Sequence, residues 1–301
     1  MKSKLYQTLI LLAILAYLLY GFDISKINFS IFKISGIFLT TISLFLSQVL
    51  LAFRWMAMSN LNFKISLETI IVSSVLNIIL PARLGELSKA FYLKKFYGYN
   101  YHKTLSIIFI ERFFDIIMLL LIMFLWAYLF FVDRNVKISI ILLSSVIVMV
   151  IIFFNSDFIL RLLKKIPFQF IRVYSQKIYK NINKLLKTPF LILFYTLIIW
   201  LFYLISYMFF FIYSVDFHLN YQDILELFIF STIALSLPLT PAGIGTFEGA
   251  IVLFLTHHGI NKENALISAT LYHIIIFAVD FAMFYIFLII KNIKFKELVQ
   301  K

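Results

Sequence analysis

The chain has 301 residues, of which 63% are hydrophobic and 14% are charged. Soluble domains are nearer to half apolar and a quarter charged, so this composition predicts an all-α polytopic membrane protein. The absence of cysteine excludes disulfide bonds and cysteine metal sites. The formal net charge of +13 does not indicate nucleic-acid binding, because the cations lie beside apolar segments rather than in a soluble module.

Six long apolar segments are predicted to cross the membrane. In chain order they cover residues 5–22, 34–58, 104–131, 137–154, 189–215 and 263–290. A helix needs about 20 residues to cross roughly 30 Å of hydrocarbon. The first segment follows two lysines, as a signal sequence does, but no small-residue cleavage site follows it. We therefore interpret it as a retained span.

Two further segments, about 67–97 and about 222–258, are each broken near the middle by a Pro/Gly step. Pro81 begins the first break and Pro241 begins the second. Neither half of either segment is long enough to cross the membrane alone. Irregular backbone at membrane depth persists only where it is buried in protein or lines a wet cavity. Paired interruptions in two halves of a chain are typical of a transport site.

The placement of charge predicts the topology. Residues 155–188 hold eight Lys and Arg against one acidic residue, and the tail after residue 290 is also basic, so both are predicted to be cytoplasmic. Residues 216–226 hold three acidic residues and no Lys or Arg, which suits the outer face. With these assignments the first broken segment enters and leaves from the cytoplasm, and the second does so from outside. Eight full spans are the alternative.

The predicted fold is therefore six full spans plus two re-entrant helical hairpins in one transmembrane domain, residues 1–301. Repeat 1 covers about 5–131 and repeat 2 about 137–290, and each reads span, span, hairpin, span with inverted topology. The cytoplasmic basic segment 157–188 alternates apolar and cationic residues. This pattern is typical of a helix lying on anionic inner-leaflet lipid, although a solvated connector fits equally well.

Ionisable residues inside membrane segments are functional candidates, because each needs a partner or a wet cavity. Arg83 ranks highest: it lies at a hairpin tip beside Gly85, and its guanidinium suits a phosphate. The full set of candidate substrate-binding residues is Arg83, Glu86, Lys89, Glu111, Arg112, Asp115, Gly243, Gly245 and Glu248. The alternative is an internal ion-pair set that only locks the hairpin, with Arg83 or Arg112 paired to Glu86, Glu111 or Asp115.

In the second hairpin, Gly243 and Gly245 permit close backbone approach, and Glu248 favours the positive end of the following half-helix. A capping carboxylate without a transport role is the alternative for Glu248. His273 follows it by 25 residues, the interval that also separates Glu86 from Glu111. A lone histidine in an apolar span is more often packed than functional. No histidine pair has metal-ligand spacing and no nucleophile motif is present, so we expect no metal, cofactor or catalytic residue.

Three motifs in order carry a family resemblance: Arg83-Leu84-Gly85-Glu86 with Lys89, the run Glu111 to Asp115, and the run Pro238 to Glu248. Together they resemble the signature of the lysylphosphatidylglycerol synthase transmembrane (flippase-like) family, over essentially the whole chain. The resemblance implies lipid translocation. Two departures are mild: Ala242 stands where the family often has Gly, and Lys89 where Arg is common. Because the chain ends soon after its last span, we expect no soluble synthase domain and no aminoacyl transfer.

The sequence thus predicts a flippase-like transporter of a bacterial inner membrane, multi-pass, with both termini cytoplasmic. Its expected substrate is an anionic phospholipid or a polyprenyl-phosphate lipid. Anionic inner-leaflet lipids and a separate lipid-modifying synthase are further expected partners. No ATP-binding motif is visible, so a gradient or mass action would drive movement. The alternatives are an integral-membrane transferase acting on lipid-linked substrates, with Glu86 or Glu111 as base, and a membrane anchor for a separate synthase.

Overall fold

The computed structural model describes residues 14, 16–80, 84–154, 161, 164–165, 169–185, 188–215, 217–237 and 239–292. Every regular element in this part of the chain is helical, which confirms the predicted all-α class. The main helices are α1 (Ile34–Ser59), α2 (Phe63–Ile79), α3 (Gly85–Tyr97), α4 (Tyr101–Phe154), α5 (Gln169–Leu185), α6 (Pro189–Met208), α7 (Tyr221–Ser236), α8 (Thr246–His257) and α9 (Lys262–Lys291). A π-helix, Phe209–Ser214, continues α6, and a 3-10 turn, Pro241–Gly243, precedes α8.

Four of the described helices are long and apolar enough to cross a membrane. They cover Ile34–Ser59, Tyr101–Phe130, Pro189–Ser214 and Lys262–Lys291. These correspond to four of the six predicted spans. The predicted span 5–22 lies largely outside the described residues, and a shorter apolar stretch, Ile140–Ile152, lies within the predicted span 137–154. The protein is a membrane protein with several apolar helices.

Helix α4 runs without interruption for 54 residues, from Tyr101 to Phe154. The predicted spans 104–131 and 137–154 therefore lie in one continuous helix, with no break between them. Residues 132–136 contain neither Pro nor Gly, so no helix-breaking residue stops the backbone there. At 1.5 Å per residue the helix is about 80 Å long, well beyond the thickness of a bilayer.

The first broken segment consists of α2 and α3, which run back along one another. The Ser73 hydroxyl donates a hydrogen bond to the Gly85 carbonyl oxygen at 3.0 Å. A Cβ on Gly85 would lie 2.2 Å from the Asn77 backbone nitrogen, so only glycine fits at this close approach. Farther from the break, the Tyr92 and Tyr97 hydroxyls both donate to Glu68. Residues 81–83, between the two helices, lie outside the described part of the chain.

The second broken segment consists of α7 and α8, and its two ends lie together. His258 Nε2 at the end of α8 is 3.4 Å from Asp223 Oδ1 at the start of α7. The Phe230 and Phe254 rings also face each other across the pair, with centroids 6.3 Å apart. The two helices have 16 and 12 residues, or about 24 and 18 Å, and neither is long enough to cross a membrane. The predicted hairpin shape fits this geometry, while the membrane face from which each hairpin enters stays a prediction.

The chain divides into two compact units. Unit 1 comprises Met1–Gln48, Ile71–Glu86 and Leu201–Lys301, and unit 2 comprises Val49–Ile70 and Leu87–Trp200. The second hairpin and α9 belong to unit 1, whereas α4 and α5 belong to unit 2. The candidate residues described below form one polar cluster within each unit.

Helix α5 lies in the predicted basic amphipathic segment, and its apolar face is partly covered by protein. The Ser106 hydroxyl of α4 donates to the Ile178 carbonyl oxygen at 2.9 Å, and Tyr179 and Ile182 are buried. Lys177 and Lys180 are exposed. The apolar residues of this turn are therefore covered by protein, whereas the two lysines are exposed.

We predict that Tyr221→Cys and His257→Cys, at the two ends of the second hairpin, react with an impermeant maleimide from the outer side of intact cells. Lys177→Cys should react only after the membrane is permeabilised. The native chain has no cysteine, so each variant carries a single thiol. Labelling of residues 221 and 257 from opposite sides would favour eight full spans, and labelling of residue 177 from outside would overturn the predicted orientation.

Candidate functional site

Arg54, near the end of α1, is the centre of a buried polar network in unit 2. Its side chain is fully buried, with 0% exposure. One terminal nitrogen, Nη1, lies 2.6 Å from Asp115 Oδ1 and donates to Thr196 Oγ1 at 3.1 Å. The other, Nη2, lies 3.0 Å from Glu111 Oε1. One guanidinium therefore joins two carboxylates of α4, Glu111 and Asp115.

Two more cations complete the network, and each contacts one of the same carboxylates. Lys89 Nζ, on α3, is 2.6 Å from Glu111 Oε2, and it also lies 4.7 Å from the centre of the Trp55 ring. Arg112 Nη2 is 3.1 Å from Asp115 Oδ2. We call Arg54, Lys89, Glu111, Arg112 and Asp115 the arginine cluster. Its five residues hold three cations and two carboxylates, a formal charge of +1.

The spacing of the two carboxylates explains how one arginine reaches both. Glu111 and Asp115 are four residues apart on α4, so they lie one helical turn apart on the same face. Arg112 follows Glu111 directly and pairs with Asp115 three residues on. The internal ion pairs considered as the alternative are therefore present, but their main cation is Arg54. In the sequence, Arg54 is marked only as a lone arginine in a long apolar span. Its partners Glu111 and Asp115 lie 57 and 61 residues away along the chain.

The arginine cluster is sealed on one side and open on the other. The side chains of Arg54 and Glu111 are completely buried and that of Lys89 is 5% exposed, whereas Asp115 is 17% and Arg112 39% exposed. Both oxygens of Glu111 are held in ion pairs, which makes this carboxylate a poor general base. An incoming polar group would meet Arg112 and Asp115 first.

Two candidates of the first hairpin, Arg83 and Glu86, are not among the residues of the arginine cluster. Arg83, the highest-ranked residue, lies outside the described residues. Glu86 is in the first turn of α3, partly exposed, and belongs to unit 1. A carboxylate at that position favours the positive end of the helix.

The second polar cluster, in unit 1, is built on Glu248 in the first turn of α8. Glu248 Oε2 accepts a hydrogen bond from the Gly245 backbone N–H at 2.7 Å, so the carboxylate caps its own helix. Its other oxygen, Oε1, lies 2.7 Å from His273 Nδ1 on α9. Both side chains are almost completely buried. We call them the glutamate–histidine pair; the structure thus brings together two residues whose 25-residue spacing matched that of Glu86 and Glu111.

The tip before Glu248 needs backbone conformations that favour glycine. Gly243 and Gly245 have φ of 76° and 84°, and Ala242 has φ of 54°. A Cβ on Gly243 would also lie 2.6 Å from the Leu235 side chain. The left-handed conformation is disfavoured for alanine because its Cβ crowds the carbonyl oxygen. This explains physically why glycine would suit position 242.

Asp280 is a further buried carboxylate of unit 1, and it was not among the predicted site residues. It accepts a hydrogen bond from Gln48 Nε2 at 2.8 Å, and Gln48 Oε1 accepts one from the Ser74 hydroxyl at 3.3 Å. Asp280 follows His273 by seven residues, two helical turns, so the two share a face of α9. Among the described residues no group of three or more His, Asp or Glu side chains is arranged to hold a metal ion.

Comparison with known proteins identifies relatives over most of the chain. The family model described as the lysylphosphatidylglycerol synthase TM region matches residues 4–283. A UPF0104 membrane protein of Methanocaldococcus jannaschii is 26% identical over 211 residues, which cover 66% of this chain and 87% of the relative. No solved structure matches the chain.

Arg54→Ala should lower the free energy of unfolding by about 3–5 kcal/mol, because it leaves two buried carboxylates without their main cation. Lys94→Ala removes an exposed cation of α3 and should change the value by less than about 0.5 kcal/mol. Denaturation in mixed micelles measures both. Equal, small effects would show that Arg54 does not hold the cluster together.

Ala242→Gly should stabilise the protein by about 0.5–1 kcal/mol. The substitution removes the strain of a left-handed alanine, and the greater conformational entropy of glycine in the unfolded chain offsets part of that gain. The matched control is Ala234→Gly within α7, which should destabilise by about 1 kcal/mol. Opposite signs in the same unfolding assay are expected. A loss of stability at both positions would contradict the conformation assigned to the tip.

Proposed function

Because the chain belongs to the lysylphosphatidylglycerol synthase transmembrane family, we propose that it is a flippase-like transporter that moves an anionic lipid between leaflets. The proposed substrate is an anionic phospholipid or a lipid-linked phosphate. We place the protein in the inner membrane of a bacterial cell, with both termini in the cytoplasm. The two hairpins would enter from opposite leaflets and rock to pass the headgroup, while the tails stay in lipid.

The observation that carries this proposal is the exposure of Arg112. It lies eleven residues after the start of α4, about 16 Å along an apolar helix, yet its side chain is 39% exposed. A guanidinium at such depth is expensive in hydrocarbon and normally marks a wet cavity or a polar ligand. Its planar donor fork suits phosphate oxygens, which supports a lipid phosphate as the ligand.

The rest of the arginine cluster would allow Arg112 to contact that ligand without leaving Asp115 unpaired. Arg54 already supplies two contacts to Asp115, at 2.6 and 3.4 Å, so Asp115 keeps a partner when Arg112 turns to a phosphate. The formal charge of +1 within the cluster would favour an anion over a cation. Arg83, which lies outside the described residues, stays a second proposed phosphate ligand.

The second hairpin would supply the matching site at the other leaflet. Its tip has left-handed backbone at Ala242, Gly243 and Gly245, and the Gly245 N–H donates to Glu248 in the first turn of α8. The positive end of a half-helix suits an anionic headgroup. Glu248 already contacts this end of α8, so its charge would control whether a headgroup can bind there. The basic residues of α5 would hold anionic lipid near the cytoplasmic entrance.

Arg112→Ala and Arg83→Ala should each slow the movement of fluorescent phosphatidylglycerol across reconstituted vesicles by about tenfold or more, the effect of losing one charge-assisted phosphate contact. Movement is measured as the loss of fluorescence to dithionite added outside. Asp115 retains Arg54 in the Arg112 variant, so the fold should persist. Lys94→Ala is the control and should transport at the native rate.

Two results would contradict the proposal. Undiminished movement in both arginine variants would remove the assigned phosphate site. Movement no faster than in protein-free vesicles, for the unmodified chain, would refute lipid transport altogether. In that case a new covalent lipid product formed from an added donor would favour the transferase alternative.

A further inference from the structure

We infer that the glutamate–histidine pair is a proton-binding site that couples lipid movement to a proton gradient. The inference rests on the proposed function and adds to it a driving ion and the atom that carries it. It follows from the hydrogen bonds of Glu248 and His273, the packing of the imidazole ring and the charge that the pair presents to the second hairpin tip.

The hydrogen bonds fix which nitrogen binds the proton. Glu248 accepts at Oε2 from the Gly245 N–H at 2.7 Å. With the carboxylate ionised, Glu248 can only accept, and His273 Nδ1 is then the donor across the 2.7 Å contact to Oε1. No described residue forms a hydrogen bond with His273 Nε2. This nitrogen can therefore take up or release a proton while the bond to Glu248 stays intact.

Aromatic packing holds the imidazole in place in both states. The Phe247 and Phe277 rings lie 4.7 and 4.3 Å from the His273 ring, measured between centroids. His273 is 3% exposed, so its environment is apolar apart from Glu248.

Most other titratable groups of the surrounding helices lie far from the pair. These groups lie at the ends of α7, α8 and α9 that are far from the hairpin tip. Along the helix axes they are about 13–15 Å from the glutamate–histidine pair. These residues are Asp223, Glu226, His257, His258 and Glu263. Asp280 shares the face of His273 two turns on, where Gln48 donates to it. The pair is therefore the titratable group in direct contact with the tip.

The protonation state changes the charge that the tip presents. With neutral His273 the pair carries −1, beside the backbone that would receive an anionic headgroup. One proton on Nε2 makes the pair neutral and removes that repulsion. An anionic headgroup would therefore enter the second hairpin with one proton bound and would be repelled when the proton leaves. Each lipid would move together with one proton, in the same direction.

The test reconstitutes the full chain in phosphatidylcholine vesicles with fluorescent phosphatidylglycerol and imposes a difference of one pH unit. The native chain should move lipid toward the alkaline side several-fold faster than toward the acidic side, with an upper limit of about tenfold for one proton. His273→Gln, whose amide can still donate to Glu248 but cannot titrate, should show equal rates in both directions. His257→Gln is the matched control and should keep the native asymmetry.

The outcomes separate this inference from the proposed function. Lipid movement by the native chain at equal rates in both directions would overturn proton coupling and leave lipid transport standing. Asymmetry retained in His273→Gln would assign coupling to another group and also overturn the inference. Absence of movement in every protein would overturn the proposed function, and the coupling with it.

A second readout does not depend on transport. The chain has five histidines, and nitrogen-15 labelling allows the ring signals of His273 to be assigned by their loss in His273→Gln. We expect Nε2 of His273 to titrate reversibly, with Nδ1 protonated throughout, and phosphatidylglycerol at fixed pH to increase the protonated fraction. A His273 signal that stays in one state with or without lipid, across the pH range of transport, would overturn the inference.

Discussion

Arg54 has no access to solvent, and it holds Asp115 at 2.6 Å and Glu111 at 3.0 Å on one face of α4. Charges at membrane depth persist only with partners, so these contacts allow the two carboxylates of the arginine cluster to be buried. Lys89 and Arg112 are stable at their positions because the same two carboxylates accept from them. Because Arg54 pairs with both carboxylates on the buried side of the cluster, Arg112 can lie at its exposed edge.

The same requirement applies to backbone. A helix broken at membrane depth exposes N–H and C=O groups that hydrocarbon cannot satisfy. Between α7 and α8 the Gly245 N–H donates a hydrogen bond to Glu248, and the same carboxylate is hydrogen-bonded to His273. The carboxylate that satisfies this backbone donor is itself buried, and the histidine is its second hydrogen-bond partner. The irregular tip and the glutamate–histidine pair are therefore one structural solution.

Local sequence patterns predicted the helix breaks, because those depend on neighbouring residues. Pro81 comes soon after the end of α2, and Pro241 begins the 3-10 turn that precedes α8. The spacing of Glu248 and His273 matched that of Glu86 and Glu111, but it did not predict their contact. The boundary between the predicted spans 104–131 and 137–154 was placed where an apolar run ends, yet without Pro or Gly the helix continues through it. Arg54 was not ranked, because its partners are some 60 residues away and no periodicity connects them. Gln48 and Asp280 are separated by 232 residues and were missed for the same reason.

The central claim is that the charged edge of the arginine cluster lies in a hydrated crevice that anionic lipid can reach. The most direct measurement introduces one thiol, Arg112→Cys, into this cysteine-free chain and follows its reaction with a charged, water-soluble thiosulfonate in vesicles. Since thiosulfonates react with the thiolate, modification requires water at that depth. The account predicts ready modification in phosphatidylcholine vesicles and several-fold slower modification when phosphatidylglycerol is present. A thiol that stays unreactive, as a dry site would be, would contradict it.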